Sequence, residues 1–441
     1  MPVSTSERAI ALILLAALNA FGFIDRVVVA LVAEKIKAEY LVSDFEIGLL
    51  GGTAFAVVNT LASVPIARLA ERYSRAKVTA GFMFIGSVFT ALMGLTANFA
   101  QLLAARLGMA VGSAATEAPP HSMISDMYPP EKRASAISLY MLGVPTAALV
   151  GSFLGGSIAE SYGWRGTFLF FGLAGGAVTL LCLLFLKEPA RQTRPDHGAP
   201  NTSALKVLRI LWNEKALRHI LAGTALMSLG SYGVNTFLPS FFARNFALDA
   251  AGAGFAFGLI SGIAAFVGTL VGGFGSEYLA RRDPRWLLGF PALGTVIGVP
   301  LFIMGVMSAN LFVAVPVMVI GCIAFYTAMG PVIATVHGSL DSWNRALGSA
   351  LFLLLVNIIG QGFGPPVAGL VSDMISAVQF GSGNFAAECA GAAGQVVGSA
   401  CAQASAAGIK YAIAIFSVFY LWAGLHLFLG AQSRFRSDPA R

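Results

Sequence analysis

Charge is the scarcest property of this chain. Only 11% of its 441 residues are Asp, Glu, Lys or Arg, whereas 57% are hydrophobic, and the mean hydropathy is +0.77. Soluble domains carry about 25% charged residues, and a soluble core has no use for this much apolar surface. The composition therefore excludes a soluble protein and indicates a chain whose solvent is largely lipid.

Several sequence signatures are also missing. No G-x-x-x-x-G-K-[ST] run occurs, so ATP is not expected to drive this chain. The five histidines form no H-E-x-x-H or similar pair, and the four cysteines lack zinc spacing. We therefore expect no enzyme, no cofactor and no metal. The net charge of +7 does not indicate nucleic-acid binding, because the basic residues lie in short loops rather than along one stripe.

Long apolar runs are what the chain does contain. A spanning helix needs about 20 mostly apolar residues. The first run is too long for the apolar part of a signal peptide and is interpreted as a span. The sequence predicts an all-α membrane protein with twelve transmembrane helices, at 8–33, 47–67, 77–97, 100–124, 134–159, 165–186, 216–242, 252–279, 287–307, 311–333, 346–374 and 409–430.

A polar, proline-containing segment divides these helices into two groups of six. We predict an N-terminal bundle over 1–186, a flexible cytoplasmic linker over 187–215 and a C-terminal bundle over 216–441 with an outer loop at 376–408. Cys389 and Cys401 share that loop. They would form a disulfide in an oxidising compartment or stay free, and spacing alone does not decide between these alternatives.

The distribution of basic residues predicts the orientation. With the N-terminus in the cytoplasm, 21 of the 28 Lys and Arg residues fall in cytoplasmic segments, five in outer loops and two inside the membrane. Basic residues prefer cytoplasmic loops. Both termini are therefore predicted to be cytoplasmic, in a multi-pass protein of the inner membrane.

A weak internal repeat relates the two halves. The segment 67–75 lies between predicted helices 2 and 3, and 273–282 lies at the matching place between helices 8 and 9. Each places an acidic residue at a helix end with basic residues just beyond it. Repeated six-helix halves are typical of secondary transporters, which bind substrate near the midplane between the halves.

Charged residues inside the predicted spans are the strongest functional indication. Asp25 and Arg26 interrupt the apolar run from 9 to 33, and Arg106 and Glu117 lie in predicted helix 4. A charge at bilayer depth costs at least about 2.5 kcal/mol, so such residues usually face the protein interior or a wet cavity. They predict a polar path through the membrane.

These features resemble the major facilitator superfamily. The loop signature G-x-L-x-D-R-x-G-R-[KR] of that superfamily is matched in part by Ala67, Leu69, Glu71, Arg72, Ser74 and Arg75. The glycine-rich stretch 143–156 in helix 5 and the Gly163-Trp-Arg segment before helix 6 are also similar. The resemblance covers all twelve spans and implies alternating access between two six-helix bundles.

Within that superfamily the chain looks like the spinster family. The shared features are the Asp25-Arg26 pair, the helix 4 segment that begins at Arg106, the stretch 119–126 and the segment 345–366. The glutamate of the family's helix 4 falls on Ser113, and this chain has Glu117 four residues later. The resemblance implies proton coupling and, from characterised relatives, transport of lysolipids or sphingoid phosphates.

The helix 1 and helix 4 residues are assigned to substrate binding and proton coupling. Consecutive residues point about 100° apart, so one interpretation pairs Asp25 with Arg106 and lets Arg26 reach the cavity. Protonation of Asp25 or Glu117 would free an arginine for an anionic group. A fixed structural ion pair is the alternative. Glu117 is either a proton carrier or a residue facing water, and His121 either couples to it or caps a helix end.

Two further groups complete the predicted site. Tyr232 and Asn235 in helix 7, with Asn357 and Gln361 in helix 11, are predicted to line a cavity; interhelical hydrogen bonding is the alternative. Glu71, Arg72 and Arg75 are predicted to form a cytoplasmic gating loop, because ion pairs at facing helix ends can form in one state and break in another. The alternative is that they only set topology.

We therefore expect a monomeric secondary transporter whose partners are protons, membrane lipids and a small-molecule or lipid substrate. The preferred substrate is an amphipathic organic anion such as a lysolipid or a sphingoid phosphate. A drug or small-anion carrier of the same fold is the close alternative. A non-transporting receptor or scaffold is a distant one, since no sizeable soluble domain is present to relay a signal.

Overall fold

The protein is a bundle of long helices. In this computed structural model, residues 5–191, 204–340, 345–381, 383–389 and 400–436 are described, and within them every regular element is helical. We number the spanning helices α1 to α12. Twelve are present, as the sequence predicts, although most extend beyond the predicted apolar limits.

The first half contains α1 to α6. Helix α1 covers Thr5–Tyr40, α2 covers Asp44–Arg72 with a π-helical turn at Leu49–Thr53, and α3 covers Arg75–Met93. Helix α4 consists of Phe99–Ser113 and Ala118–Met127, with a 3-10 turn at Ala114–Thr116. Helix α5 begins with Pro130–Met141 and continues from Gly143 to Gly163, where a positive φ of 72° turns the chain into α6, which ends at Phe185.

The second half contains α7 to α12. The bounds are Lys215–Phe246 for α7, Ala250–Ala280 for α8 with a π-helical turn at Gly258–Ile263, Trp286–Met307 for α9, Leu311–Ser339 for α10, 345–380 for α11 with a π-helical turn at Ile358–Phe363, and Ala400–Arg436 for α12. Helix α10 is divided into Leu311–Tyr326 and Met329–Ser339.

Length and hydropathy alone find fewer spans than the fold does. In the described ranges, nine helical stretches are long and apolar enough to cross a membrane. One of them, Ser135–Phe185, contains most of α5 and all of α6, and neither α4 nor α7 is among the nine. Helix α4 is broken into two short pieces and carries Arg106 and Glu117, which is why composition underrates it.

The two connecting segments differ in part from expectation. The predicted linker contains a helix at Ala204–Asn213, and α7 already begins at Lys215. Residues 192–203 lie outside the described residues. The predicted outer loop is shorter than 376–408, because α11 continues to Phe380 and α12 begins at Ala400. Within it Cys389 and Cys401 are joined by a disulfide, with a Cα–Cα distance of 5.5 Å.

The halves meet along α2 against α11, α5 against α8 and α1 against α7. Small residues permit the close approach: a Cβ added to Gly369 of α11 would lie 2.2 Å from the carbonyl oxygen of Asp44 in α2, and one added to Gly254 of α8 would lie 2.5 Å from that of Ser152 in α5. We call the end with the chain termini the basic end and the other the opposite end. These contacts lie toward the opposite end, which is closed.

Candidate functional site

Arg106 of α4 is the most deeply buried charged residue of the predicted site. Its side chain has no exposed surface. Its Nε donates to the carbonyl oxygen of Leu50 at 3.2 Å, and its Nη1 donates to the backbone carbonyl oxygen of Asp25 at 3.1 Å. No ion pair among the described residues joins the Asp25 carboxylate to Arg106, and the hydrogen bond between these two residues runs through the main-chain oxygen of Asp25. Arg106 ties α1 and α2 to α4 through main-chain oxygens, while its Nη2 has no hydrogen-bond partner.

The carboxylate of Asp25 points to α3. The hydroxyl Oγ1 of Thr90 lies 3.1 Å from Oδ1 and 3.1 Å from Oδ2 of Asp25. The same hydroxyl lies 3.1 Å from the carbonyl oxygen of Gly86. Asp25 also lines a small cavity in the first half together with Ser87, Thr90 and Ser113. That cavity has room for roughly one water molecule.

Arg26 is a cation with no carboxylate within ion-pair distance among the described residues. Its guanidinium carbon lies 4.4 Å from the ring centroid of Phe55 in α2 and 5.1 Å from that of Phe23. No ion pair involves Arg26 among the described residues, and its buried Nε has no hydrogen-bond partner. The rest of the side chain is partly exposed. Phe55 also lies under Arg106, at 5.2 Å, so one aromatic ring contacts both arginines.

The break in α4 determines where its polar residues lie. Pro119 and Pro120 follow Glu117, which has a φ of −90° and a ψ of −79° and begins the second piece of the helix. Proline cannot continue an α-helical ladder, so the preceding turn tightens to 3-10 geometry. The regular spacing that would place positions 113 and 117 on one helix face is interrupted. Ser113 and Glu117 therefore have separate surroundings.

Ser113 is a packing contact to α1. Its Oγ donates to the carbonyl oxygen of Gly22 at 3.3 Å, and it is 4% exposed. A Cβ added to Gly22 would lie 3.3 Å from Cγ2 of Thr116 and 3.6 Å from this Oγ. A glutamate at position 113 would have to fit into this tight α1–α4 contact. The serine is consistent with the displacement of the acidic residue to position 117.

Glu117 is exposed and lies within electrostatic range of Arg26 and His121. Its carbonyl oxygen is 2.5 Å from Nδ1 of His121. Asn59 of α2 lies next to Glu117. In the amide orientation that gives both polar atoms of its side chain a hydrogen-bond partner, Nδ2 donates to Glu117 Oε1 at 3.2 Å and Oδ1 accepts from Ala114 N at 3.1 Å. Of the two predicted roles for His121, the structure favours the helix-end contact, since the ring bonds the main chain rather than the carboxylate.

The second half contributes a hydrogen-bonded polar cluster. Asn235 of α7 donates from Nδ2 to the carbonyl oxygen of Ser231 at 2.8 Å and accepts from Ser261 Oγ of α8 at 2.6 Å. Next to it a small pocket is lined by Asn235, Phe302, Cys322, Phe325, Tyr326 and Tyr420, among others. Both predicted roles of Asn235, cavity lining and interhelical bonding, are thus present.

The other predicted cavity residues are not among those that line this pocket. Tyr232 is half-buried, and its carbonyl oxygen accepts from Thr236 Oγ1 at 2.8 Å. Asn357 is also half-buried, immediately before the π-helical turn of α11. Gln361 is 4% exposed and lies in that turn, where its carbonyl oxygen approaches Gly52 of α2. Gln361 therefore belongs to the contact between the halves.

The predicted gating loop is tied within the first half. Arg75 donates from Nε to Glu188 at 2.7 Å and from Nη1 to Asp126 at 2.5 Å, both near the basic end. Burial opposes ionisation of Glu188, but hydrogen bonds from Ala76 N–H, Arg75 and Ser74 outweigh it and hold its pKa below the usual value. Glu71 and Arg72 are exposed. In this structure none of the ion pairs of Arg75 reaches the second half.

Sequence reasoning missed the strongest charge cluster that joins the halves. Arg244 of α7 donates to Glu34 of α1 at 2.7 Å and to Asp44 of α2 at 2.6 Å. Lys37 also pairs with Asp44, at 2.6 Å, and Ser372 of α11 donates to Asp44 at 2.7 Å. Asp373 of α11 accepts from the main-chain N–H groups of Asp44 and Phe45 and so caps the start of α2 from across the interface. Together these contacts close the opposite end.

Comparison with known proteins gives a consistent result. The sequence model of the Major Facilitator Superfamily matches residues 12–365. An MFS-type efflux pump of Mycolicibacterium smegmatis is 28% identical over 362 residues, 82% of this chain and 84% of that protein. Protein spinster of Drosophila melanogaster is 21% identical over 368 residues, 81% of this chain and 60% of that protein.

A solved structure is similar over nearly the whole chain. It is the crystal structure of a bacterial homolog to the human lysosomal transporter spinster, in an inward-facing and unoccupied conformation. The TM-score is 0.86 and the identity 28%, with 98% of each chain covered. The resemblance inferred from the Asp25-Arg26 pair and the helix 4 segment is thereby confirmed at the level of fold and family.

Proposed function

This chain belongs to the Major Facilitator Superfamily of membrane transporters, and we propose that it moves an amphipathic organic anion together with a proton by alternating access. A single-chain lysolipid with an anionic headgroup is the substrate class that fits best. Orientation is part of the proposal: both termini lie in the cytoplasm, and the basic end faces it. The transporter acts as a monomer in the inner membrane.

The observation that carries this proposal is the state of Arg26. It is a permanently charged group at membrane depth, no carboxylate among the described residues lies within ion-pair distance of it, and it remains partly exposed. Desolvating a charge without compensation is costly. A ligand that supplies a carboxylate or phosphate would provide the missing partner, and the planar guanidinium suits either group.

The surroundings of Arg26 favour an amphipathic anion over a small one. Phe23 and Phe55 cover its guanidinium from two sides, and the pocket in the second half is lined mainly by aromatic and aliphatic side chains. An anionic headgroup at Arg26 with an apolar chain that packs along aromatic and aliphatic side chains of both halves uses both features. Because an efflux pump is among the similar proteins, a drug or small-anion carrier is the second candidate.

Charge balance supplies the reason for proton coupling. The site contains two acids, Asp25 and Glu117, and two bases, Arg26 and Arg106, so its net charge is zero when both acids are ionised. Protonation of one acid leaves a net charge of +1. Burying an anion next to a positive site is favourable, whereas next to a neutral site it leaves a charge uncompensated. One proton and one anion therefore bind together, which corresponds to symport.

The gating residues fit a two-state cycle. The ion pairs of Arg75 with Asp126 and Glu188 fix the loop between α2 and α3 to the first half. Glu71 and Arg72 of this loop are exposed, so their side chains are accessible to the second half when the halves meet at the basic end. The cluster around Arg244 closes the opposite end in the present state. Opposite ends would then be latched in alternate states by different ion pairs.

The direct test is ligand stabilisation of the purified protein. Lysophosphatidylglycerol is expected to raise the melting temperature in proportion to the logarithm of its concentration. Glycerol phosphate, which lacks the acyl chain, and monoacylglycerol, which lacks the anion, are expected to act much more weakly. A drug panel tests the second candidate in the same assay.

Arg26→Ala tests the residue assignment. A charged hydrogen bond contributes about 1.5–3 kcal/mol, so this variant should bind lysophosphatidylglycerol roughly tenfold to one-hundredfold more weakly. Arg281→Ala is the matched control, because the Arg281 side chain is 73% exposed and its ion pair within the described part of the chain is with Glu277, one turn away. Equal affinity in wild type and Arg26→Ala would refute the assignment.

A further inference from the structure

Thr90 of α3 is the closest side-chain partner of the Asp25 carboxylate. Its Oγ1 lies 3.1 Å from each carboxylate oxygen and 3.1 Å from the carbonyl oxygen of Gly86 one turn earlier on the same helix. Thr90 is 2% exposed. Its hydroxyl has one proton to donate and two acceptors in reach. It donates to only one of them at a time.

The choice of acceptor follows the protonation state of Asp25. When Asp25 is ionised, it can only accept, so the Thr90 hydroxyl donates to the carboxylate. When Asp25 is protonated, it donates to Thr90 Oγ1, and the hydroxyl turns to donate to the Gly86 carbonyl oxygen. No polar atom loses its partner in either state. The rotation of one hydroxyl is the whole rearrangement, and no bond other than O–H···O contacts changes.

None of the other described groups around Asp25 can hydrogen-bond its carboxyl group in both protonation states. Arg26 adjoins it on α1, and Arg106 of α4 donates to its backbone carbonyl oxygen. Both are permanent cations that do not respond to the proton. From α4, Ser113 donates to Gly22, and from α3, Ser87 donates to Met83 at 2.9 Å. Helix α6 presents only Phe171 and Gly175 to the shared cavity, and α2 presents Phe55 to the arginines.

We propose that Thr90 is the positioning residue that keeps Asp25 hydrogen-bonded in both protonation states and thereby sets the pH at which this carboxyl group exchanges its proton. The inference rests on the proposed function only in naming Asp25 as a proton carrier. It adds an uncharged residue, which the charges inside the spans do not identify. Thr90 lines the small cavity within the first half.

The sign of the effect of a Thr90 variant follows from the two hydrogen bonds. Thr90→Val keeps the shape of the side chain and removes the hydroxyl. An ionised group loses more from a missing hydrogen bond than a neutral one. Valine therefore destabilises the carboxylate more than the carboxylic acid, and the titration midpoint should move to higher pH, by roughly one pH unit.

Infrared difference spectroscopy of the purified protein measures this without a substrate. The band of the protonated carboxyl group that Asp25→Asn abolishes is assigned to Asp25, and its intensity is followed against pH. We expect the midpoint to rise by roughly one unit in Thr90→Val and to return to the wild-type value in Thr90→Ser. Thr90→Cys, a weaker donor, gives a smaller rise and serves if the valine variant does not fold.

Thr79→Val is the matched control. It makes the same change on α3 three turns away, at a buried hydroxyl that has no hydrogen-bond partner and does not reach Asp25. Its midpoint should equal that of the wild type. An unchanged midpoint in Thr90→Val, an equal rise in Thr79→Val, or the absence of any band lost in Asp25→Asn would each overturn the proposal.

Transport measurements separate this inference from the proposed function. If lysophosphatidylglycerol flux depends on protons while the Asp25 titration midpoint is the same in Thr90→Val and wild type, the role of Thr90 is refuted and the proposed function is retained. If Thr90→Val shifts the midpoint while no lysolipid flux occurs, the substrate assignment is refuted and the role of Thr90 is retained. The two proposals therefore fail by different observations.

Discussion

Replacing Arg244 by glutamine should open the end of the transporter that is closed here. The Arg244 side chain is 8% exposed and that of Asp44 1%. The guanidinium makes five hydrogen bonds of 2.6–3.1 Å to Glu34 and Asp44. Because Arg244 belongs to the second half and both acids to the first, these bonds exist only while the halves meet at this end.

The magnitude follows from burial. Without Arg244, Asp44 keeps Lys37 and Ser372 as partners, but Glu34 loses its guanidinium entirely. Removing one partner of a buried ion pair costs about 3–5 kcal/mol, since the other charge stays desolvated. Opening the end returns both acids to water. The ratio of open to closed molecules should therefore rise by roughly two to four orders of magnitude.

Distances between spin labels provide the assay. Labels at Leu41→Cys in the first half and Val378→Cys in the second occupy exposed positions at this end. Wild type should give one short-distance population, and Arg244→Gln should add a longer one. Adding Glu34→Gln to Arg244→Gln removes the stranded acid and should restore part of the short-distance population.

A second arginine at the same end is the control. Arg165 pairs with Glu39, and both residues lie in the first half with side chains 36% and 43% exposed. Arg165→Gln should therefore leave the distance distribution unchanged. The reasoning is refuted if Arg244→Gln keeps the wild-type distribution, or if Arg165→Gln broadens it equally.

Two further predictions concern packing and pH. Gly369→Ala places a Cβ 2.2 Å from a main-chain oxygen of α2. The clash should destabilise the contact between α2 and α11 by about 1–3 kcal/mol and lengthen the same spin-label distance. Gly273→Ala is the control, because its Cβ would meet nothing within 4 Å, and it should leave that distance unchanged. Hydrogen bonds hold the pKa of Glu188 below its usual 4.5 despite partial burial, so its stabilising effect is present above that pH and is lost as the pH falls through the lowered value. The melting temperature of Glu188→Gln should thus lie below that of wild type at pH 7, and the two should converge in acid; a constant difference at all pH values would contradict this assignment.

The charges inside the spans were the easiest part of the site to predict. Asp25, Arg26 and Arg106 stand out because a charge in an apolar run is costly and therefore kept for a reason. Their partners could not be predicted. The acceptors of Arg106 are main-chain carbonyl oxygens, and every residue carries such an oxygen.

The uncharged residues that contact Asp25 and the two arginines could not be predicted from the sequence, because many similar residues occur in the same helices. Thr90 is one of several hydroxyl residues in α3, and its height along the helix, level with Asp25, distinguishes it from Thr79 three turns earlier. Phe55 is one apolar residue among many in α2. Its contact with both arginines depends on how α1, α2 and α4 pack.

The cluster at the closed end was missed for a different reason. Asp44, Arg244 and Asp373 lie near helix ends, where charges cost little, so each is indistinguishable from a residue that only sets topology. The twelve-helix fold, by contrast, could be predicted because apolar runs of about 20 residues mark most of its spans. Helices α4 and α7 fell short of the length and hydropathy criterion, and in α4 the break at Pro119 and Pro120 explains the shortfall.

The most direct test of the central claim is simultaneous measurement of anion and proton flux in proteoliposomes. With an inward-acid or outward-acid gradient, wild type should move lysophosphatidylglycerol down the proton gradient with about one proton per anion, as the charge balance of the site requires. Asp25→Asn should lose the dependence on the gradient, and Arg26→Ala should lose most of the flux. Wild-type flux that ignores the pH gradient and is equally fast in Arg26→Ala would contradict the account.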